Sequence, residues 1–280
     1  MKKQKTVSIK AKLLGVIIPV VIAIVVVLVV AAYQISAGTI KKYSQNLLQS
    51  SVENQASQIE AWLNENLASF QMAKTIIEDL KPSDEELKTI LDGYYGYNSN
   101  YPEGLYVADS TGQLITASES TKKESDVTNS TWYKEGLTRV NMAVGSAYQN
   151  ADGVNVISAS GILNDGSDKV RVISADMTLD RIAIIVNSFI EMNDAEAFLV
   201  DKTSGVILAN RDSSLISQTL GAEGQSHFYQ LTAEKAAEKD YNFATLDGNM
   251  TVFQEVDGTN WLLDIVYSDQ HCTFGSDTAS

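Results

Sequence analysis

Gly104–Ile115 reads GLYVADSTGQLI, and Ala197–Asn210 reads AFLVDKTSGVILAN. Each passes from an apolar stretch into an aspartate, small polar residues and a glycine, then into a second apolar stretch. Asp, Ser, Thr and Gly are turn formers, and the β-branched and aromatic residues around them favour strands. Each stretch is therefore predicted as a hairpin, the first turning at Asp109–Gly112. The two lie about 92 residues apart, a weak internal repeat. Working outward, VNVISASGIL (Val154–Leu163) and VRVISADM (Val170–Met177) follow the first hairpin, separated by the turn Asn164–Asp168. TVFQEVDGTNWLLDIVY (Thr251–Tyr267) follows the second and turns at Asp257–Gly258. Between them, Thr178–Ile190 has helical periodicity, with Thr178 placed as its cap. The expected class is α+β, with two similar lobes of antiparallel sheet packed by helices.

Upstream the pattern changes. Ser36–Leu80 carries apolar residues at steps of mostly three or four, including Val52, Ala56, Ile59, Leu63, Phe70, Ala73 and Ile77. That period marks one long helix. Its apolar stripe packs on the chain's own domain or on a second copy of itself, and a homodimer through this helix is expected. Pro82 ends the helix. Ser83 with Glu86 three residues on forms a capping box for a short helix from Asp84 to about Leu91.

Before the long helix, Leu13–Ala32 reads LLGVIIPVVIAIVVVLVVAA, twenty residues without a charge. At about 1.5 Å per residue this spans the roughly 30 Å core of a bilayer. Lys2, Lys3, Lys5, Lys10 and Lys12 precede it. The positive-inside rule places them in the cytoplasm and the remainder outside. A cleaved signal peptide is the rival, with Val30-x-Ala32 as the cleavage site. The apolar run exceeds the roughly 7–15 residues of a signal core, which favours an uncleaved anchor. The expected segments are a basic cytoplasmic N-terminus (1–12), a single membrane helix (13–33), the long exterior helix (36–80), lobes at 83–190 and 191–268, and a polar tail (269–280). The expected location is the cell membrane, crossed once.

Composition removes several classes of function. The 280 residues hold 35 acidic against 21 basic side chains, a formal net charge of −14. Nucleic-acid binding needs clustered Lys and Arg, and the excess of acid argues against it. Cys272 is the single cysteine and His227 and His271 are the two histidines, which leaves no thiolate or imidazole set for a metal. Neither a Gly-x-Ser-x-Gly elbow nor a His-Glu-x-x-His motif is present, so no enzyme, cofactor or metal is expected. A structural or adhesive surface protein is the alternative from a different class.

Several segments in this order resemble a known family: GLYVADSTGQLI, the TWYKEGL stretch from Thr131, VRVISADMTLD, AFLVDKTSGVILAN and the closing GTNWLLDIVY. Together with the basic N-terminus, membrane helix and long exterior helix, they are similar to the double Cache sensor domain. That domain forms the outer part of bacterial chemoreceptors (methyl-accepting chemotaxis proteins), sensor histidine kinases and cyclic-dinucleotide enzymes. The resemblance spans about Lys10 to Ser268. It implies two PAS-like lobes, with a small-molecule ligand in the membrane-distal one. It also implies that output domains belong to the parent receptor, so this chain is expected to be a truncated or tethered form.

Amino-acid-binding members of the family carry an Arg two residues before a Trp-Tyr pair, a later Tyr and a still later Asp. The resemblance places Trp132, Tyr133 and Tyr148 as pocket walls and Asp176 as the acceptor of the ligand ammonium. The arginine position is Ser130, and an upstream tyrosine position falls near Ser125. Without a guanidinium fork a ligand carboxylate lacks its natural partner. One carboxylate and three aromatics suit a cation, so the expected ligand is a small amine or amino acid. The blander roles are core aromatics for Trp132, Tyr133 and Tyr148, and a helix cap for Asp176. Arg139 and Arg171 are the candidate replacements for the missing arginine.

Overall fold

The computed structural model describes residues 9–188 and 195–268. Helix α1 runs unbroken from Ile9 to Leu80 and includes Pro19. The segments 13–33 and 36–80 therefore lie on one element. Residues up to Leu47 form one compact unit and those from Leu48 onward form another.

In the first unit, apolar side chains from Ile17 to Val30 are exposed. Among the described residues this is the one helix with a segment long and apolar enough to cross a membrane. Pro19 is compatible with that, since membrane helices tolerate proline.

The second unit begins with the rest of α1. Leu48, Val52, Ala56, Ile59, Leu63, Phe70, Ala73 and Ile77 are buried along one stripe, as the three-to-four spacing requires. Leu47 and Leu80 remain exposed. Ser83 caps helix α2 (Asp84–Asp92), and the Ser83–Glu86 capping box is present.

The first lobe holds β1 (Leu105–Asp109), β2 (Leu114–Ile115), β3 (Ala143–Gln149), β4 (Asn155–Leu163) and β5 (Arg171–Thr178), with helix α3 (Thr131–Gly136). All pairings are antiparallel, and the strand order is β2-β1-β5-β4-β3. Helix α4 (Leu179–Ser188) follows β5 directly. The Thr178 hydroxyl accepts from Arg181 N–H at 3.2 Å, so the cap is Thr178 and Asp176 is free of that task. The second lobe holds β6 (Ala195–Asp201), β7 (Ile207–Ala209), helix α5 (His227–Ala237), β8 (Ala244–Leu246), β9 (Asn249–Val256) and β10 (Trp261–Ser268). Its order, β7-β6-β10-β9-β8, repeats that of the first sheet strand for strand.

Two-residue periodicity divides each face. Leu105, Val107, Ile157, Ala159, Ile173 and Ala175 join the main core with α1. The alternate residues Tyr106, Ala108 and Val172 face the other way and pack with Trp132 and Tyr133 of α3. Ser158, Ser160, Ser174 and Asp176 alternate with the core residues of β4 and β5, so they share that second face.

Polar contacts tie α1 to both lobes. Gln71 Oε1 accepts from Met142 N–H at 2.9 Å, and Glu78 Oε1 accepts from Asn164 N–H at 2.8 Å. Glu60 Oε1 accepts from Asp257 N–H at 2.7 Å in the second lobe. One helix thus bonds to loops of both lobes.

Sequence patterns did not indicate β3, β8, α3 or α5. β3 (AVGSAYQ) is an edge strand with a register shift between Val144 and Ala147. There the Ser146 N–H turns to Glu135, 3.1 Å away. A bulged, half-exposed edge carries no clean alternation to read.

Candidate functional site

The site is built on the α3 face of the first sheet. β5 places Asp176 directly opposite Ser158 of β4, and Tyr106 of β1 lies one pair along, opposite Ser174. Three donors converge on the Asp176 carboxylate. Oδ1 accepts from the Tyr106 hydroxyl and from Ser158 Oγ, the latter at 2.6 Å. Oδ2 accepts from the Lys122 ammonium at 2.5 Å. The side chains of Lys122 and Asp176 are only 5% and 11% exposed, so this ion pair is largely withdrawn from water. Lys122 Nζ also sits 4.2 Å from the centre of the Tyr106 ring, a cation–π contact.

Tyr148 reaches the carboxylate through Ser158. Its hydroxyl is 2.7 Å from Ser158 Oγ. The single Ser158 proton is committed to Asp176, so Tyr148 donates. Burial, then the neighbouring Asp176 charge, pushes both the Tyr106 and Tyr148 phenols up from their ordinary values. Both stay protonated and serve as donors.

Aromatic rings back this cluster. Trp132 is fully buried and meets Tyr106 edge to face, with centroids 4.9 Å apart at 88°. Its indole N–H points to Glu124 at 3.3 Å. Tyr133 meets Trp132 edge to face at 5.7 Å, but its hydroxyl points to the Val170 carbonyl. Tyr148 thus reaches the Asp176 carboxylate through Ser158, and Trp132 reaches it only through the Tyr106 ring, while Tyr133 stands one ring further out.

The guanidinium candidates are engaged elsewhere. Arg171 Nη1 donates to Asp165 at 2.8 Å, and Nη2 bonds Asp84. Arg139 Nη1 donates to the Ala143 carbonyl at 3.1 Å. Ser130 is the residue before α3, and its hydroxyl donates to the Val127 carbonyl.

Sequence reasoning missed Tyr106, Lys122, Ser158 and Glu124. For Tyr106 and Ser158 a signal existed, because each is out of phase with the core residues of a strand already recognised. Lys122 lies in a stretch without strand or helix and had none.

These features fit a family. A model described as the Cache domain matches residues 32–270. The chain belongs to the Cache domain family. No curated protein matches it. Among solved structures, the Cache chain is similar to the ligand-binding domain of the Pseudomonas fluorescens chemoreceptor CtaA, in complex with L-isoleucine. The TM-score is 0.66 at 20% identity, over 84% of this chain and 96% of that one. The ligand-binding domain of the Pseudomonas aeruginosa PAO1 amino acid chemoreceptor PctB, in complex with L-Gln, matches at 0.62 and 18%, over 82% and 94%. That of the Campylobacter jejuni chemoreceptor Tlp3, in complex with L-norvaline, matches at 0.65 and 17%, over 85% and 96%. At these identities the likeness is one of fold, the double PAS-like arrangement.

The Cache domain has a concavity of about 450 Å³ in the other lobe, lined by Val200, Asp201, Leu220, Tyr241 and Leu262 among others. Two of its charged groups are already partnered: Asp201 by the N–H groups of Thr203 and Ser204, and Lys202 by Glu255. The buried ionic cluster lies in the first lobe, and the candidate site is placed there.

Proposed function

We propose that this Cache protein is the ligand-sensing part of a chemoreceptor-type membrane receptor. Its first lobe, taken as membrane-distal, binds a small metabolite bearing an ammonium group, an amine or amino acid. One observation carries this reading: the Asp176 carboxylate and the Tyr106 ring hold an ammonium between them, that of Lys122. A carboxylate beside an aromatic face, largely shielded from water, is the pairing that favours an organic cation. The amino acids bound to the similar chemoreceptor domains support the same class. With Ser130 in place of an arginine, and Arg139 and Arg171 committed elsewhere, the ammonium is the dominant recognition element. Trp132 and Tyr148 wall the site, and Tyr133 backs Trp132.

In this reading the N-terminus is cytoplasmic, 13–33 cross the membrane once and the lobes lie outside. A second copy pairs along α1 through exposed Ile40, Tyr43 and Leu47. Ligand binding moves the first sheet against α1 through the Gln71 and Glu78 contacts. It shifts the receptor only by the difference in its affinity for the two states.

The test is a thermal-shift screen of the full chain in detergent against amines, amino acids and carboxylic acids. A ligand at a hundredfold excess over its Kd stabilises the native state by about 2.7 kcal/mol. The expected hit carries an ammonium group and is lost in Asp176→Asn. Stabilisation by acids alone, with no response to amines, refutes the reading.

A further inference from the structure

Lys122 lies between β2 and the turn at Val127–Asn129, in a stretch with neither strand nor helix. Its backbone is nevertheless pinned. Ser118 Oγ donates to Asp92 at 3.1 Å, Ser120 Oγ donates to Glu103 at 2.5 Å, and Thr121 N–H bonds Glu103 at 3.3 Å. On the far side Glu124 accepts the Trp132 indole N–H. The loop is held at its edges, and the side chain alone enters the cluster. What it inserts is a four-carbon chain ending in a primary ammonium, the group proposed above for the ligand.

The carboxylate has little capacity left. An ionised aspartate offers about four lone-pair sites. Tyr106 and Ser158 take both on Oδ1, and Lys122 takes one on Oδ2. A second ammonium at Oδ2 would share one negative charge with Lys122 inside a site closed to water, and like charges there repel strongly. An incoming ammonium therefore replaces Lys122.

We propose that Lys122 is a built-in competitor, which occupies the ammonium position and sets both the threshold and the class of ligand the site accepts. The inference rests on the ammonium-binding reading of Asp176. A group tethered by a short flexible link competes at an effective concentration of order millimolar. A bare alkylammonium, with no contacts beyond those Lys122 makes, cannot displace it at micromolar levels. A ligand that succeeds brings further contacts to the aromatic walls or to Glu124. Withdrawal of Lys122 is then coupled to its arrival.

The test uses n-butylammonium chloride, which reproduces the end of a lysine side chain, titrated into the full chain in detergent. Lys122→Ala is expected to bind it at least about tenfold more tightly than wild type, since the fraction of accessible sites rises. Butanol and butyrate give no shift, and Lys122→Arg behaves as wild type. Lys122→Gln removes the charge at nearly the same length and is also expected to bind more tightly, should Lys122→Ala not fold. Equal or weaker binding in the neutral variants overturns the competitor. If binding in these proteins is still lost on adding Asp176→Asn, the ammonium site survives that failure. If neither wild type nor the neutral variants bind n-butylammonium, the competitor and the ammonium site both fall.

Discussion

The Lys122–Asp176 pair makes a measurable prediction about stability. With side chains 5% and 11% exposed, removing one partner strands a charge that water barely reaches. Breaking a buried pair in this way costs about 3–5 kcal/mol. Asp176→Asn leaves the Lys122 ammonium without its anion but beside the Tyr106 ring, so the lower end, about 3 kcal/mol, is expected. Lys122→Met leaves a carboxylate still bonded by Tyr106 and Ser158, and about 2 kcal/mol is expected. The double variant carries no buried charge, keeps its hydroxyl donors opposite an amide and should cost about 2 kcal/mol. It therefore falls short of the sum of the singles by about 3 kcal/mol. Urea unfolding of the full chain in detergent, followed by tryptophan fluorescence, reads each arm of the cycle. Thermal denaturation should show Asp176→Asn lowered by about 6–12 °C, from 2–4 °C per kcal/mol for a chain of this size. Costs that simply add would mean that the two groups do not depend on each other, and would refute the argument. The same coupling, at about 1.4 kcal/mol per factor of ten, is what a ligand overcomes on displacing Lys122.

Three further predictions concern the scaffold. Arg171→Ala strands Asp165, whose side chain is 2% exposed, and should cost about 3 kcal/mol in urea unfolding; Arg171→Ala with Asp165→Asn should recover most of it, and no recovery would exclude the ion-pair account. Gly104 has φ +69, and an added Cβ would stand 2.8 Å from the Tyr94 backbone, so Gly104→Ala should lower stability by at least about 1–2 kcal/mol; an unchanged melting temperature would contradict this. Burial pushes the Asp264 carboxyl well above its ordinary value, against the lowering effects of the Thr251 hydroxyl, the Val252 N–H and Lys235. Its folded pKa is raised, so its contribution is full below about pH 4 and declines as pH rises towards that folded value; Asp264→Asn should flatten the fall in melting temperature between acid and neutral pH, and an identical slope would show that Asp264 is not its source.

The α1 stripe from Val52 to Ile77, the Ser83–Glu86 capping box and the two hairpins were legible because each depends on neighbours within a few residues. A helical face repeats every three or four residues, a strand face every two, and turn chemistry sits on the turn itself. The repeat between 104–115 and 197–210 likewise pointed to two lobes, and the strand orders of the two sheets match. Resemblance placed Trp132, Tyr133, Tyr148 and Asp176 in one lobe, yet gave no distances among them. The partners of Asp176 depended on the sheet. Tyr106 is 70 residues away, Lys122 is 54 and Ser158 is 18. Only the order β1-β5-β4, with Ser158 opposite Asp176, brings two of them to one carboxylate. Lys122 comes from a loop whose path is set by Asp92 and Glu103 rather than by any local pattern. Local periodicity thus determined the long helix, the main strands and the apolar span, since those follow from side chains near in sequence, but not the edge strands β3 and β8 or the helices α3 and α5. Which charge meets Asp176 was decided by tertiary packing, because an ion pair requires only closeness in space, and sequence separation carries no record of it.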